Sequence, residues 1–419
     1  MRASAYPLVD VDFAEALVLE HTPVLGVERV TVGEAIGRVL AENLSAPVSL
    51  PAFPSSAVDG YAVRSQDGGK GLRVLGESAA GRPYAGSVEP GTAARILTGG
   101  VLPDGADCVV MVEDVTLDGE WVTVPEGLRP GSNYHQPGAD VRSGELVLTA
   151  GGQLGAAEIG LAAALGYARL AVYRRPRVAL MSTGDELVEV GEMPGRGQIV
   201  DSNRWALAAA LSEAGADVHM LGIAPDRPDP LRKLVEASLG EADVLVTSGG
   251  VSVGTHDLVK PLLESLGTVH IGRVKLKPGK PFTFATLSPQ LADLSAEGAA
   301  GAPRVRLAFG LPGFPVSSLV TFEVFVRPAL RKMQGFAKHL RPTLPVRLGY
   351  DAHAAADRAE YQRVTLHRVE GELVATSTGS QSSSRLMSLA GAHAFIRVPA
   401  GGQVLKAGST VEAIILSLP

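Results

Sequence analysis

Asp243-Val244-Leu245-Val246-Thr247 runs directly into Ser248-Gly249-Gly250-Val251-Ser252-Val253-Gly254-Thr255-His256-Asp257. A short apolar run closed by glycines reads as a buried parallel strand ending in an open loop. Glycines let backbone N–H groups approach an anion closely, and the serines add hydroxyl donors. Asp257 would repel an anion unless a cation lay between them. Lys275, Lys277 and Lys280 follow in VKLKPGKP, a turn held by Pro278, Gly279 and Pro281. Oxyanion donors, a metal-capable carboxylate and clustered lysines within one short segment point to phosphate chemistry.

Strands and helices alternate on either side of this stretch. Apolar runs at 178–181, 217–221 and 306–309 read as strands. Helices start at Asp201-Ser202 and Asp229, span 258–266, and follow Pro315. The alternation predicts a doubly wound α/β sheet domain over 174–333, with 288–304 as an inserted loop. Ligands of such sheets bind beyond the carboxyl ends of the strands. Three loops fall there: Ser182–Leu187, Ser248–Asp257 and Gly310–Ser318. Each alone also reads as an ordinary turn, Asp185 and Asp201 as helix caps, and the lysines as a solvated face. Their joint arrival at strand ends of one sheet predicts a shared anion site.

Outside the sheet region, helix starts are read at Asp12–Leu17 and Thr31–Ile36, and a further helix at 153–166. Residues 46–141 are rich in Gly and Pro, with alternating runs at 72–75 and 121–124, and read as a small inserted β-rich domain. Residues 334–419, with β signals at 362–366 and 411–415, read as a small β-barrel or sandwich.

Composition sets outer limits. A chain of 419 residues needs several domains. A net charge of -6 argues against sequence-independent nucleic-acid binding. With Cys108 the sole cysteine, no intramolecular disulfide forms, which fits a reducing compartment. The first residues carry acids where an export signal needs an apolar core, and the apolar stretch 154–172 is broken by Glu158 and Arg169. A cytoplasmic protein with no membrane partner is the expectation.

STGDEL, GQIVDSNR, TSGGVSVGTHD, KLKPGKP and GLPGFPVSS, in this order, resemble the molybdopterin molybdenumtransferase (MoeA) family. Upstream, PSSAVDGYA (54–62), LTGGVLPDGAD (97–107), PGAD (137–140) and Gly144 match it, and STGSQSSSRL (377–386) matches downstream. The similarity covers nearly the whole chain. It implies the last step of molybdenum cofactor synthesis: molybdate enters adenylylated molybdopterin and AMP leaves, with magnesium or another divalent cation. It also implies a homodimer in which the β-rich domain of one subunit completes the cleft of the other. Segments 1–45 and 142–173 would form one helical N-terminal domain that bears the dimer contact and into which 46–141 is inserted. Transient contact with molybdopterin adenylyltransferase and recipient molybdoenzymes would follow.

Under this resemblance Asp226 and Asp257 hold the metal and, with Asp59, Asp140 and Glu186, form the catalytic acids. Asp226 and Asp257 have helix capping as an alternative, Asp59 a simple turn, and Asp140 an ordinary surface position. Thr98, Thr183, Gly184, Asp185, Ser202, Asn203, Ser248, Gly249, Gly250, Gly254, Pro281, Pro312 and Gly313 would bind substrate, with capping of its own loop as the alternative for Thr98. Lys277 and Lys280 would bind molybdate with Ser252 and Ser317 as hydroxyl donors, joined by Arg363 and Ser384 from the C-terminal region. Arg363 also reads as a rim salt bridge. Arg273 stands where the family frequently has lysine, and Phe314 where it usually has Asn. The lost amide at 314 leaves a loop held by aromatic packing, or lower activity, as alternatives. A gephyrin-type scaffold and tungstate insertion are the rival functions.

Overall fold

Alternation along the strand Arg177–Thr183 divides the central sheet into two buried faces. The computed structural model describes residues 6–250, 258–287 and 306–418. Val178 and Leu180 point to one face, with Val244, Val246, Leu307 and Phe309, against Leu207 and Leu211 of the helix Ser202–Glu213 and Val316 and Val320 of the helix Pro315–Thr321. Ala179 and Met181 point to the other, with Leu245, Ala285 and Ala308, against Leu231 and Val235 of the helix Pro228–Leu239 and Val259 and Leu263 of the helix Val259–Leu266. A strand buried on both faces needs apolar residues at every position, which explains the continuous run at 243–247. Truncating a residue such as Leu180, fully buried in this layer, costs about 2–5 kcal/mol.

The sheet runs in the order Asp217–Ala224, Arg177–Thr183, Val244–Ser248, Arg306–Leu311, Thr283–Leu287, Gly267–Ile271. The first four strands are mutually parallel. The last two pair antiparallel, so the sheet is mixed. The sequence reading passed over these two strands because the Lys-Pro-Gly turn between them obscured their pairing. From Arg177–Thr183 the chain goes to one side for its next strand and to the other for the one after. Open sheets take their ligands where the chain reverses in this way, which puts the expected crevice above Thr183 and Ser248.

The chain divides into two compact units, one comprising Val30–Ile36 and Glu42–Leu170, the other Met1–Arg29, Gly37–Ala41 and Ala171–Pro419. The second holds the sheet just described and a C-terminal barrel. In that barrel Ala359–Val369 pairs with Glu372–Ser377, then Thr343–Leu348, Thr410–Ile415 and Ala394–Val398, which closes back on Ala359–Val369. Val346, Leu348, Val364, Leu366, Ile396 and Ala413 fill it. Of the two β forms read from the sequence, the barrel is the one formed.

In the same unit the helix Val11–Glu20 starts one residue before Asp12, with Asp10 at its N-cap. Asp12 is not the cap. Its two carboxylate oxygens accept from Arg397 of the barrel at 2.6 and 2.9 Å.

The first unit is built on a sheet of order Cys108–Met111, Gly60–Val63, Thr92–Ile96, Gly71–Ser78, Trp121–Thr123, Thr116–Asp118. Tyr61, Val63, Leu72, Val110 and Val122 form its core. Gly60 has to be glycine, since a Cβ there would lie 2.0 Å from the Val110 carbonyl oxygen. The helix Ala156–Ala164 starts on Gly155, whose N–H donates to Glu158 at 2.9 Å. The helix read at Thr31–Ile36 is only the short 3-10 turn Val32–Ala35, although the Thr31–Glu34 capping box is made. Among the described residues no helix is long and apolar enough to cross a membrane.

Candidate active site at the strand ends

Ser182 pairs with Ser248, and Ser248 with Leu311, so three strands finish level. Beyond them the Gly249 N–H donates to the Leu311 carbonyl at 3.0 Å. Gly249 and Gly250 have φ of 88° and 67°, a left-handed path that favours glycine. A Cβ on Gly249 would meet the Thr183 carbonyl oxygen at 2.5 Å, and one on Gly250 would meet Thr183 Oγ1 at 2.7 Å. The Thr183 hydroxyl is buried and has no hydrogen-bond partner among the described residues. It is a donor under a glycine backbone, where the sequence reading had placed only backbone N–H groups and serine hydroxyls. Gly184 next to it also lies at positive φ, 149°.

The helix Ser202–Glu213 delivers the second set of groups. Asp201 caps it, accepting from the Arg204 N–H at 3.1 Å, from Ser182 Oγ at 3.0 Å and from Arg204 Nε at 3.0 Å. Arg204 also pairs with Glu189. Within the first turn, the Asn203 amide nitrogen donates to Ser248 Oγ at 2.9 Å and to the Gly313 carbonyl at 2.7 Å. A single amide thus ties two strand-end loops together. Ser202 is exposed, Pro312 is buried, and Gly313 is exposed. Phe314 is 59 % exposed, so its ring does not pack to hold the loop. Asn203 does that work from another element, because its side chain reaches the backbone that an aromatic ring cannot hydrogen-bond.

The acids cluster less tightly. Asp185 and Glu186 are exposed, and Asp226 is half-buried after the strand Asp217–Ala224. The Asp226 N–H donates to an Asp185 carboxylate oxygen at 3.4 Å, which puts these two acids side by side. Glu186 curls back over Gly184, where its Oε2 would lie 2.5 Å from an added Cβ. Asp257, Ser252 and Gly254 lie outside the described residues. Among those described, no group of three or more His, Cys, Asp or Glu side chains is placed to hold a metal.

The KLKPGKP turn adjoins the barrel. Leu276–Lys277 pairs in parallel with Ala359–Glu360, and the Lys277 ammonium sits 3.1 Å from the buried Glu360 carboxylate. A Cβ on Gly279 would lie 2.6 Å from Thr321 Cγ2, so the turn rests on the helix Pro315–Thr321. At that helix's other end the Val316 N–H donates to the Ser383 carbonyl at 3.1 Å, bringing in the barrel loop. Lys280 and Pro281 are half-buried, and Ser317 is buried. Lys280 lies near enough to Asp357 to help lower its carboxyl, after the larger effect of Arg358.

Arg363 is fully buried and forms no rim salt bridge among the described residues. Its guanidinium donates to Ser388 Oγ at 3.1 Å, the Tyr361 carbonyl at 3.4 Å and the Ser382 carbonyl at 3.2 Å. Burial pushes it down to about 10, against the pull of Glu360 and Tyr350. The loop it supports carries Ser384, exposed, with its hydroxyl 3.0 Å from Ser382 Oγ.

In the other unit the exposed Asp59 accepts from both the Thr98 hydroxyl and the Thr98 N–H at 2.7 Å. These bonds, the hydroxyl's first, hold its carboxyl below the usual range. The simple turn read there is a two-loop clamp instead. Asp140 is exposed.

Three family profiles match the chain in order: the MoeA N-terminal region (domain I and II) at residues 9–166, a probable molybdopterin binding domain at 179–332, and the MoeA C-terminal region (domain IV) at 345–416. A molybdopterin molybdenumtransferase from Nostoc is 38% identical over 94% of this chain and 89% of its own length. One from Haemophilus influenzae is 36% identical over 96% of this chain and 98% of its own. The chain belongs to the molybdopterin molybdenumtransferase family. Gephyrin from Dictyostelium discoideum is 37% identical over 99% of this chain, which spans only 63% of that protein's length. The crystal structure of a molybdopterin biosynthesis MoeA protein from Pyrococcus horikosii superposes with a TM-score of 0.79 at 30% identity, covering 98% of this chain and 99% of that one.

Against this molybdenumtransferase background, two groups at the site escaped the sequence reading. Glu360 takes up Lys277, and its signal was the one acid in a barrel strand that otherwise carries only apolar, neutral polar and basic residues. Gln381 fixes the start of the Ser382–Ser384 loop, accepting from the Arg363 N–H at 2.9 Å and donating to the Arg363 carbonyl at 3.1 Å.

Proposed function

We propose that this chain carries out the last step of molybdenum cofactor synthesis: it inserts molybdate into adenylylated molybdopterin and releases AMP. The observation that carries the reading is the Thr183 hydroxyl, without a partner among the described residues, beneath the left-handed Gly249-Gly250 backbone where the sheet reverses direction. Donors fixed in advance at such a point bind oxyanions without reorganising. The phosphoanhydride of the substrate sits there, oriented by Ser248 and the glycine backbone. Molybdate, a tetrahedral dianion like phosphate, lies toward Lys280, Ser317 and the exposed Ser384. Lys277 shares its charge with Glu360, and Arg363 positions the Ser384 loop from beneath.

The donor set suits a hard divalent cation such as magnesium, which takes one or two carboxylates and completes its shell with water and substrate oxygens. Asp226, beside Asp185, and Asp257 would hold it, and it would neutralise charge on the phosphate oxygens as AMP departs. Glu186 and Asp140 are left as acids for proton transfer or loop ordering.

The active unit is a homodimer in which the Asp59–Thr98 clamp of one subunit completes the cleft of the other. The four-part division (1–45 with 142–173, 46–141, 174–333, 334–419) describes how the chain would supply it. Contacts with the adenylyltransferase and with recipient molybdoenzymes are transient, and the compartment is the cytoplasm. The test is incubation with adenylylated molybdopterin, magnesium and either molybdate, tungstate or no oxyanion. Cofactor formation that requires molybdate supports the reading. Preference for tungstate would move it to the rival oxyanion, and failure with both would remove it.

A further inference from the structure

The basic side chains at the end of the helix Arg327–Met333 outnumber the acids that face them. Glu323, Arg327 and Arg331 recur at four-residue spacing along the continuous helix of Phe322–Val326 and Arg327–Met333, and so share one face. Arg341 folds onto that face and takes up the acid. Its Nε and Nη2 donate to the two Glu323 oxygens at 2.9 and 3.0 Å, and Nη2 also reaches Glu213 at 2.9 Å.

Arg327 keeps one approach of 3.9 Å to Glu323, beyond hydrogen-bond range. Arg331 has no carboxylate partner among the described residues; its guanidinium carbon lies 3.4 Å from the centroid of the Phe336 ring. Stacking and a place in the last helical turn both favour a cation. Neither uses its in-plane N–H groups. Arg327 Nη1 and Arg331 Nε are buried without hydrogen-bond partners among the described residues.

The charges strain one another. Burial, then Arg327 and Arg341, push Arg331 down to about 10. Burial and Arg341 lower Arg327 against the pull of Glu323 and Glu213. Burial also works against Arg341, but its bonds to Glu323 and Glu213 more than offset this. Two guanidiniums on one helix face, each with a buried N–H lacking a partner among the described residues, carry the donors that oxyanions take up.

This cluster lies at the far pole of the sheet domain from the crevice. Glu213 ends the helix that Ser202 begins, a length of about 18 Å for its 12 residues. Next to it Gln334 Nε2 donates to the Ala214 carbonyl at 2.8 Å, just before the strand Asp217–Ala224 begins. Arg341 also donates to the Leu416 carbonyl at 3.2 Å, which joins the cluster to the barrel.

We propose that Arg327 and Arg331, backed by Arg341, bind a small tetrahedral oxyanion of the phosphate or phosphate-monoester class at a second site, separate from the strand-end crevice. Binding relieves the repulsion among the three guanidiniums and so stiffens the joint between sheet domain and barrel.

Calorimetric titration of the full chain with inorganic phosphate at constant ionic strength tests it, with AMP and sulfate as parallel arms to separate ester from free anion. Lys280→Gln serves as the background, to weaken oxyanion binding on the molybdate side of the strand-end crevice. Any remaining crevice binding is recognised by its indifference to Arg331→Gln. Phosphate should bind and raise the thermal midpoint. Adding Arg331→Gln should weaken that binding roughly tenfold or more. Adding Glu213→Gln, which removes a mostly exposed competing acid, should strengthen it, and this variant carries the test if the arginine change impairs folding. Phosphate affinity unchanged by both substitutions, or absent in the Lys280→Gln background, would overturn the proposal.

Discussion

The side-chain amide of Asn203 donates to Ser248 Oγ at 2.9 Å while its second bond, at 2.7 Å, holds the Gly313 carbonyl. One amide therefore sets the separation of the two loops that frame the crevice. Asn203→Ala should remove both bonds and leave the buried Ser248 hydroxyl with one partner fewer, at about 1–3 kcal/mol. Because the helix cap at Asp201 is untouched, the fold should survive. Steady-state kinetics should show kcat falling about tenfold or more with a modest loss in thermal midpoint. A large midpoint loss with kcat preserved would make Asn203 structural only.

Gly250→Ala is expected to strain the loop, since φ is 67° and the new Cβ would lie 2.7 Å from both Thr183 Oγ1 and Val259 Cγ2. The strain should cost about 1–3 kcal/mol. Gly313→Ala is the contrast: its added Cβ would find only Gly249 Cα, at 3.9 Å. Denaturant melts of the two variants should separate clearly.

The two lysines of the turn should part company. Lys277→Gln deprives the buried Glu360 of its ammonium and should lower stability by about 1–2 kcal/mol, discounted because Lys277 is half exposed. Lys280→Gln should leave stability nearly unchanged and raise the molybdate needed for half-maximal cofactor formation about tenfold, roughly 1.4 kcal/mol. Equal effects on both readouts would contradict this division.

Much of the fold was legible in the sequence because it rests on local signals. The apolar run at 243–247 and the Asp201-Ser202 cap announced a buried strand and a helix start, and both formed. The Gly249-Gly250 pair that opens the glycine loop was legible for the same reason, since both do what only glycine does easily. Long-range partners were not. Nothing near Arg363 signalled that its guanidinium would be spent on the Ser382 carbonyl and Ser388, or that Glu360 would meet Lys277. The antiparallel strands Gly267–Ile271 and Thr283–Leu287 were missed because their register depends on each other and on Arg306–Leu311, not on their own pattern.

Asp59 offers a pH prediction. Its carboxyl is lowered by the Thr98 hydroxyl and N–H, so the contact contributes stability above the ordinary aspartate range and loses it as pH falls through the lowered value. Amide signals of Thr98, followed by NMR during acidification, should move only below that ordinary range. If the proposed dimer is the active unit, mixing Asp59→Ala chains with Asp226→Ala chains should restore part of the activity, and no recovery despite subunit exchange would count against it.

Cys108 should be silent toward thiol reagents in the folded protein. Burial, with Asp107 adding to it, pushes its thiol up to about 12, which leaves little thiolate at neutral pH. Labelling should track global unfolding.

The most direct measurement is the ratio of two products in a single turnover of adenylylated molybdopterin with molybdate and magnesium. The account predicts one AMP released per cofactor formed, with both falling together in Asn203→Ala. AMP release that proceeds without cofactor, or cofactor formation untouched by loss of the Asn203–Ser248 tie, would contradict it.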